Sequence, residues 1–193
     1  MRGERKGIQH GWSGEVMCVY IPHEDPSICA DILSDQLVVS QLESTARILT
    51  TALQRHEVMV KGSIDPDNPF VVWAAAEWDH FMWLSFLGIA LVDEHQRRFR
   101  WVPPAAFEII TAASIGHLMS GASSYMPSVW PGSGESPDIF DYNQTLLREQ
   151  YLKGGEDGDI PTWTNSVPPR WLIPEGAATV LEVYLPPTPL WEA

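Results

Sequence analysis

The sequence predicts one mainly α domain, a compact helical bundle with a minor two-stranded β element joining its N- and C-terminal regions. Three observations predict it. Apolar residues recur at helical spacing in two long windows, Val39, Leu42, Ala46, Leu49 and Leu53 in one and Trp73 to Leu91 in the other. Residues that cap or break helices bracket both windows. A chain of 193 residues, 45% of them hydrophobic, suits a single core.

Taken in order, residues 1–14 (MRGERKGIQHGWSG) are basic and glycine-rich. They read as a loose arm ahead of one globular domain at 15–193, with no apolar segment behind them long enough for a signal peptide. EVMCVYIP, residues 15–22, is β-branched and aromatic and stops at a proline, as a strand does. Asp25 is a good N-cap, and Pro26 falls at the first helical position, where its missing N–H costs nothing. From there one helix, or two with a break near Ser34, runs to about His56.

KGSIDPDNP is a loop, with Asp-Pro and Asn-Pro as turn signals. A second long helix is expected from about Pro69 to Arg98, capped by Asn68. A third starts at Pro103 and Pro104 and fades at Gly121. Residues 121–137 are rich in Ser, Gly and Pro and form a long loop. DIFDYNQTLLREQYLKGG is a fourth helix, stopped by Gly154 and Gly155. Residues 156–176 are irregular, and ATVLEVYLPP (178–187) reads as a last strand able to pair with 15–22.

The charge balance constrains partners. There are 25 Asp and Glu against 12 Lys and Arg, a formal net charge of -13. Such a surface repels phosphate backbones, so duplex DNA is not expected as a partner unless Arg97, Arg98, Arg100, Arg148 and Lys153 line one groove. Two cysteines, Cys18 and Cys29, make no disulfide framework and suit reduced thiols in a cytosol. Charge interrupts every long apolar run, so no membrane span is expected. A cytoplasmic protein is expected, in the host cytoplasm if a phage encodes it.

The richest chemistry lies in WAAAEWDHFMWL, residues 73–84. On a continuous helix Trp73, Trp78 and Trp83 point in three directions, which suits a helix buried most of the way round. Trp73, Ala76, Glu77, His80, Leu84, Leu87 and Leu91 then share one stripe. Glu77 and His80, three apart, meet on it, while Asp79 faces solvent. The commonplace reading is a polar pair satisfied in the core. The sharper reading is a general acid/base pair. A di-iron centre needs the Glu-x-x-His unit twice, and it occurs once here, so no metal or cofactor is assigned.

On the first helix, Asp31 and Asp35 are a costly pair on one buried face unless the helix breaks at Ser34. Gln36, Ser40, Glu43 and Arg47 gather on its flank, either as a solvated face or as the floor of a polar cleft. Glu43 is the third acid/base candidate.

The segment CADILSDQLVVSQLESTARILTTA resembles the first helix of a group of small phage and bacterial proteins, through Cys29, Ala30, Asp35, Val38, Val39, Thr45, Ala46 and Ala52. The second helix is similar to theirs through Pro69, Trp73, Ala74, Trp83, Leu84, Gly88, Ala90, Leu91 and Arg98. The tail matches through Trp163, Thr164, Pro169 and Trp171. The group looks loosely like the pyrimidine-dimer DNA glycosylases of the endonuclease V type, compact helical proteins that cleave a glycosidic bond. In those enzymes an N-terminal amine is the nucleophile and a helix Glu assists it. The apolar frame is shared, but the polar set is exchanged. Gln36 and Leu37 stand for a Lys-His pair, Ser40 for a Lys, and Ala75 and Ala76 for an Arg-Glu pair. Glu77 and His80 stand for a Ser and an Asn, and the helix Glu falls on Ser44, next to Glu43.

Two functions follow as expectations. One is a phage-type protein with a glycosylase-like frame that acts on or binds a nucleobase or nucleotide through Glu77, His80 and Glu43. The other is a non-enzymatic acidic protein that binds a host protein, presenting its carboxylates as DNA would. Acidic groups clustered on one face would favour the second.

Overall fold

A computed structural model describes residues 19–58, 64–118, 139–153 and 161–172. They form six α-helices: α1 (Pro26–Ile32), α2 (Asp35–Arg55), α3 (Pro69–Ala76), α4 (Trp78–Phe99), α5 (Ala105–Ile115) and α6 (Ile139–Lys153). The expected arm, the 121–137 loop and the strand at 178–187 lie outside the described residues. No strand is assigned among those described. Residues 19–22 instead hang on side chains of two helices. The Tyr20 N–H donates to Gln41 Oε1 and that of Ile21 to Asn143 Oδ1, while Gln144 donates to the Pro22 carbonyl.

The helix starts follow from local chemistry. Asp25 accepts from the Ser27 N–H and Asn68 from the Phe70 N–H, each just before a proline at the first helical position. The break between α1 and α2 falls at Leu33 and Ser34, both extended. It separates exposed Asp31 from buried Asp35.

The second break is a correction to the continuous helix expected from Pro69 to Arg98. Glu77 is extended, at φ -143 and ψ 150, so α3 ends at Ala76 and α4 begins at Trp78. Two imidazoles bond carbonyls beside it. In an unbroken helix the Trp73 and Ala75 carbonyls would accept from N–H groups four residues on. Here His80 Nδ1 takes the first at 2.9 Å and His56 Nε2 the second at 2.7 Å. Both are acceptors that a helix end leaves open.

Helix α4 is central and packs against α1, α2, α3 and α5. It runs antiparallel to α2: Gly88 lies against Thr45, and Arg98 reaches Asp35. A Cβ on Gly88 would stand 2.8 Å from Ile109 Cγ2 and 3.1 Å from Thr45 Cγ2. Only glycine lets α2, α4 and α5 approach this closely. On α2 the buried valine is Val38, with Val39 exposed, one position off the expected stripe. The buried face also takes in Leu42, Ala46, Leu49 and Leu53, as the spacing predicts. No described helix is long and apolar enough to cross a membrane.

Candidate functional site

Two polar assemblies stand out, one at each end of α4. The first surrounds Arg98, which is 1% exposed despite its charge. Its Nε donates to Glu94 Oε1 at 2.5 Å, and Nη1 donates to the Leu33 carbonyl at 2.8 Å and to Asp35 Oδ1 at 3.1 Å. Nη2 donates to the Asp31 carbonyl. The fork therefore ties the end of α4 to the α1–α2 break, satisfying carbonyls that the helix end leaves open. Arg97 grips both oxygens of Glu94 and donates to the Asn165 carbonyl.

The segment 162–166 closes this knot. Thr162 Oγ1, the Thr164 N–H and Thr164 Oγ1 all donate to Asp35, and the Asp35 N–H donates back to the Thr162 carbonyl. Trp163 Nε1 reaches the Ile32 carbonyl, and Asn165 Nδ2 reaches the Arg98 carbonyl. Every charge here has an internal partner. The knot is structural, and it removes Arg97 and Arg98 from the basic groove left open by the sequence.

Burial pushes the Asp35 carboxyl up, but hydrogen bonds from Thr162, Thr164 and Arg98 outweigh it and hold its pKa below the ordinary 3.8. A depressed folded pKa means that Asp35 contributes stability above 3.8, which is lost as pH falls through the folded value. Melting temperatures of the wild type and Asp35→Asn, compared from pH 7 downward, should therefore converge in acid. Curves that stay parallel to the lowest pH would show that Asp35 carries no such linkage.

The second assembly is at the other end, where α3 breaks. His80 is 3% exposed and its ring stacks on Trp73, centroids 4.7 Å apart and planes 13° from parallel. A carbonyl only accepts, so the bond to Trp73 places a proton on Nδ1, and in the neutral ring the lone pair is on Nε2. Nε2 has no partner among the described residues, a state shared with Thr45 Oγ1 and Trp171 Nε1. Glu77 is exposed at the N-cap of α4, where its side chain caps nothing. Asp79 is half-buried, with Oδ1 accepting from the His80 N–H at 3.0 Å.

One ligand atom from each of Glu77, Asp79 and His80 lies within 4.8 Å of the others. Glu77 and His80 come within 4.8 Å, but Glu77 is exposed rather than buried on the expected stripe. They meet as N-cap and third helical residue, positions whose side chains face one another in a capping box. The same break brings Asp79 into the group, although a continuous helix would have turned it away.

Glu43 is not part of this group. The antiparallel pairing of α2 and α4 sets His80 near the level of Leu53, ten residues along α2, or about 15 Å at the helical rise. Gln36, Ser40 and Glu43 are exposed and Arg47 half-buried, so this flank is a solvated face.

The carboxylates at this end of the bundle are more numerous than the sequence suggested. Arg55 pairs with Asp67 at 3.3 Å, and His56 touches Ala75, so the end of α2, the 64–68 turn and the α3–α4 break adjoin. Glu57, Asp65, Asp67 and Glu77 are exposed there and Asp79 is half-buried. Among the described residues, Arg55 is the Lys or Arg that meets them.

The free thiol of Cys29 is chemically quiet. Burial pushes its pKa up to about 12, and it donates to the His23 carbonyl. No protein-family model matches the chain, and no curated protein or solved structure matches it either.

Proposed function

We propose that the protein is a non-enzymatic interaction protein that presents an acidic end to a partner with a basic surface. The observation that carries this is the gathering of Glu57, Asp65, Asp67, Glu77 and Asp79 at one end of the bundle. The charges inside the protein are already paired, so the exposed carboxylates supply its long-range field. Such a field steers a basic partner toward this end, and it does so less as salt rises. A host protein that normally holds DNA has the matching surface.

Displacement of a labelled duplex from basic DNA-binding proteins tests this reading. The expected result is salt-dependent displacement, with no binding of the duplex by the protein alone at physiological salt. Tight, salt-resistant binding of the duplex itself would overturn it.

A second reading keeps the nucleobase or nucleotide ligand, with Glu77 and His80 as the acid/base pair on a glycosylase-like frame. One observation favours it: a ring nitrogen of buried His80 lies within 4.8 Å of one oxygen from each of two carboxylates, and Nε2 has no hydrogen-bond partner among the described residues. Glu43, about 15 Å along α2, does not join that pair. Nucleotide binding abolished by Glu77→Gln would support this reading over the first.

A further inference from the structure

We propose that Glu77, Asp79 and His80 form a binding site for a divalent transition-metal cation of the Zn2+ class. Three acidic or imidazole groups near one another do not make a site, since exposed carboxylates commonly gather without a cation. The second observation here is the state of His80. His80 is only 3% exposed, yet its Nε2 has no hydrogen-bond partner among the described residues. A buried nitrogen left without a partner carries a desolvation cost that a bound cation would remove.

The tautomer is the one a metal needs. The Trp73 carbonyl accepts from Nδ1–H at 2.9 Å, which fixes the ring and points the free lone pair of Nε2 away from that bond. Metal-ligating histidines characteristically donate their other N–H to a carbonyl or carboxylate in this way. Stacking on Trp73 holds the ring plane as well.

The two carboxylates are similarly available. Glu77 stands at the N-cap of α4 without capping it, and its carboxylate has no hydrogen bond or ion pair among the described residues. Asp79 uses Oδ1 on the His80 N–H, leaving Oδ2. One ligand atom from each of the three residues lies within 4.8 Å of the others, so the group could hold one cation between them. Zinc bonds to nitrogen and carboxylate oxygen are about 2.0–2.2 Å.

An imidazole with two carboxylates selects a borderline cation over Mg2+ or Ca2+, which take all-oxygen sets. The cation's charge matches the two carboxylates, and the net charge of -13 draws cations toward the protein. Three protein ligands leave a fourth position open, as in zinc sites that hold a water or a substrate.

The test is calorimetric titration of chelator-treated protein with Zn2+ alone, with the His80 ring nitrogens followed by NMR. The expected result is one saturable site per chain and a shift of His80 Nε2, with Nδ1 still protonated. Glu77→Gln and Asp79→Asn should each weaken binding about tenfold or more, since even outer-shell partners of a metal site cost about 10–100-fold. Both positions reach solvent, so both variants should fold, which their metal-free melting temperatures check. Absence of a saturable site, an Nε2 unmoved by Zn2+, or variants that bind as the wild type does would each overturn the proposal. Neither a partner protein nor a nucleotide is present in the titration, so its failure is separate from that of either functional reading.

Discussion

Arg98→Met should destabilise the protein by about 3 kcal/mol, at the low end of what removing one partner from a buried ion pair costs. The low end follows from the neighbours. Glu94 keeps Arg97, and Asp35 keeps Thr162 and Thr164, so neither carboxylate is left wholly alone. What is lost outright is the fork that joins α4 to the Leu33 and Asp31 carbonyls. Against a total stability of about 5–15 kcal/mol for a typical domain, the melting temperature should fall steeply. Adding Glu94→Gln to Arg98→Met should recover part of the loss by removing an under-paired charge. Denaturant midpoints that match the wild type for Arg98→Met would show that the knot contributes nothing.

Trp73→Ala should cost about 3–5 kcal/mol, the usual range for truncating a large buried aromatic. Trp73 is buried, meets Trp83 edge-on with ring centroids 6.3 Å apart, and carries the stacked face of His80. Its loss opens a cavity and also frees the ring that takes over a helix-ending carbonyl. Trp73→Phe, which keeps an aromatic face, should lose less. A melting temperature unchanged in Trp73→Ala would contradict the core position of this residue.

Much of the helical plan was legible because its signals are local. Asp25 with Pro26 and Asn68 with Pro69 each act within a few residues, and both pairs start helices as expected. The break at Glu77 was not legible from spacing, since no proline or glycine lies between Phe70 and Phe86. The contacts that accompany it are one distant, His56 on Ala75, and one that forms only once the chain has turned, His80 on Trp73. The knot at Arg98 was hidden for the same reason. Asp35 and Thr164 lie far apart in the chain and meet only in the fold. Asp35, Arg98, Trp163 and Thr164 are four of the positions at which the sequence alone led us to expect a resemblance to small phage and bacterial proteins. All four sit in or against the knot.

The candidate site was half legible. Glu77 and His80 could be paired from their spacing, whereas Asp79 could not, because its place depends on the break. Glu43, an acid/base candidate read from the polar flank of the first helix, is exposed on α2.

The duplex-displacement assay repeated with a Glu57→Gln/Asp65→Asn/Asp67→Asn variant tests most directly whether the acidic end does the binding. The three side chains are exposed, and Asn at 65 keeps the oxygen that accepts from the Asp67 N–H. Exposed substitutions of this kind usually stay within about 0.5 kcal/mol, and the exposed Arg55–Asp67 pair is worth about 0–1 kcal/mol. The variant should therefore melt close to the wild type and lose most of its power to displace the duplex. Displacement undiminished in a stably folded variant would contradict the proposed role of this surface.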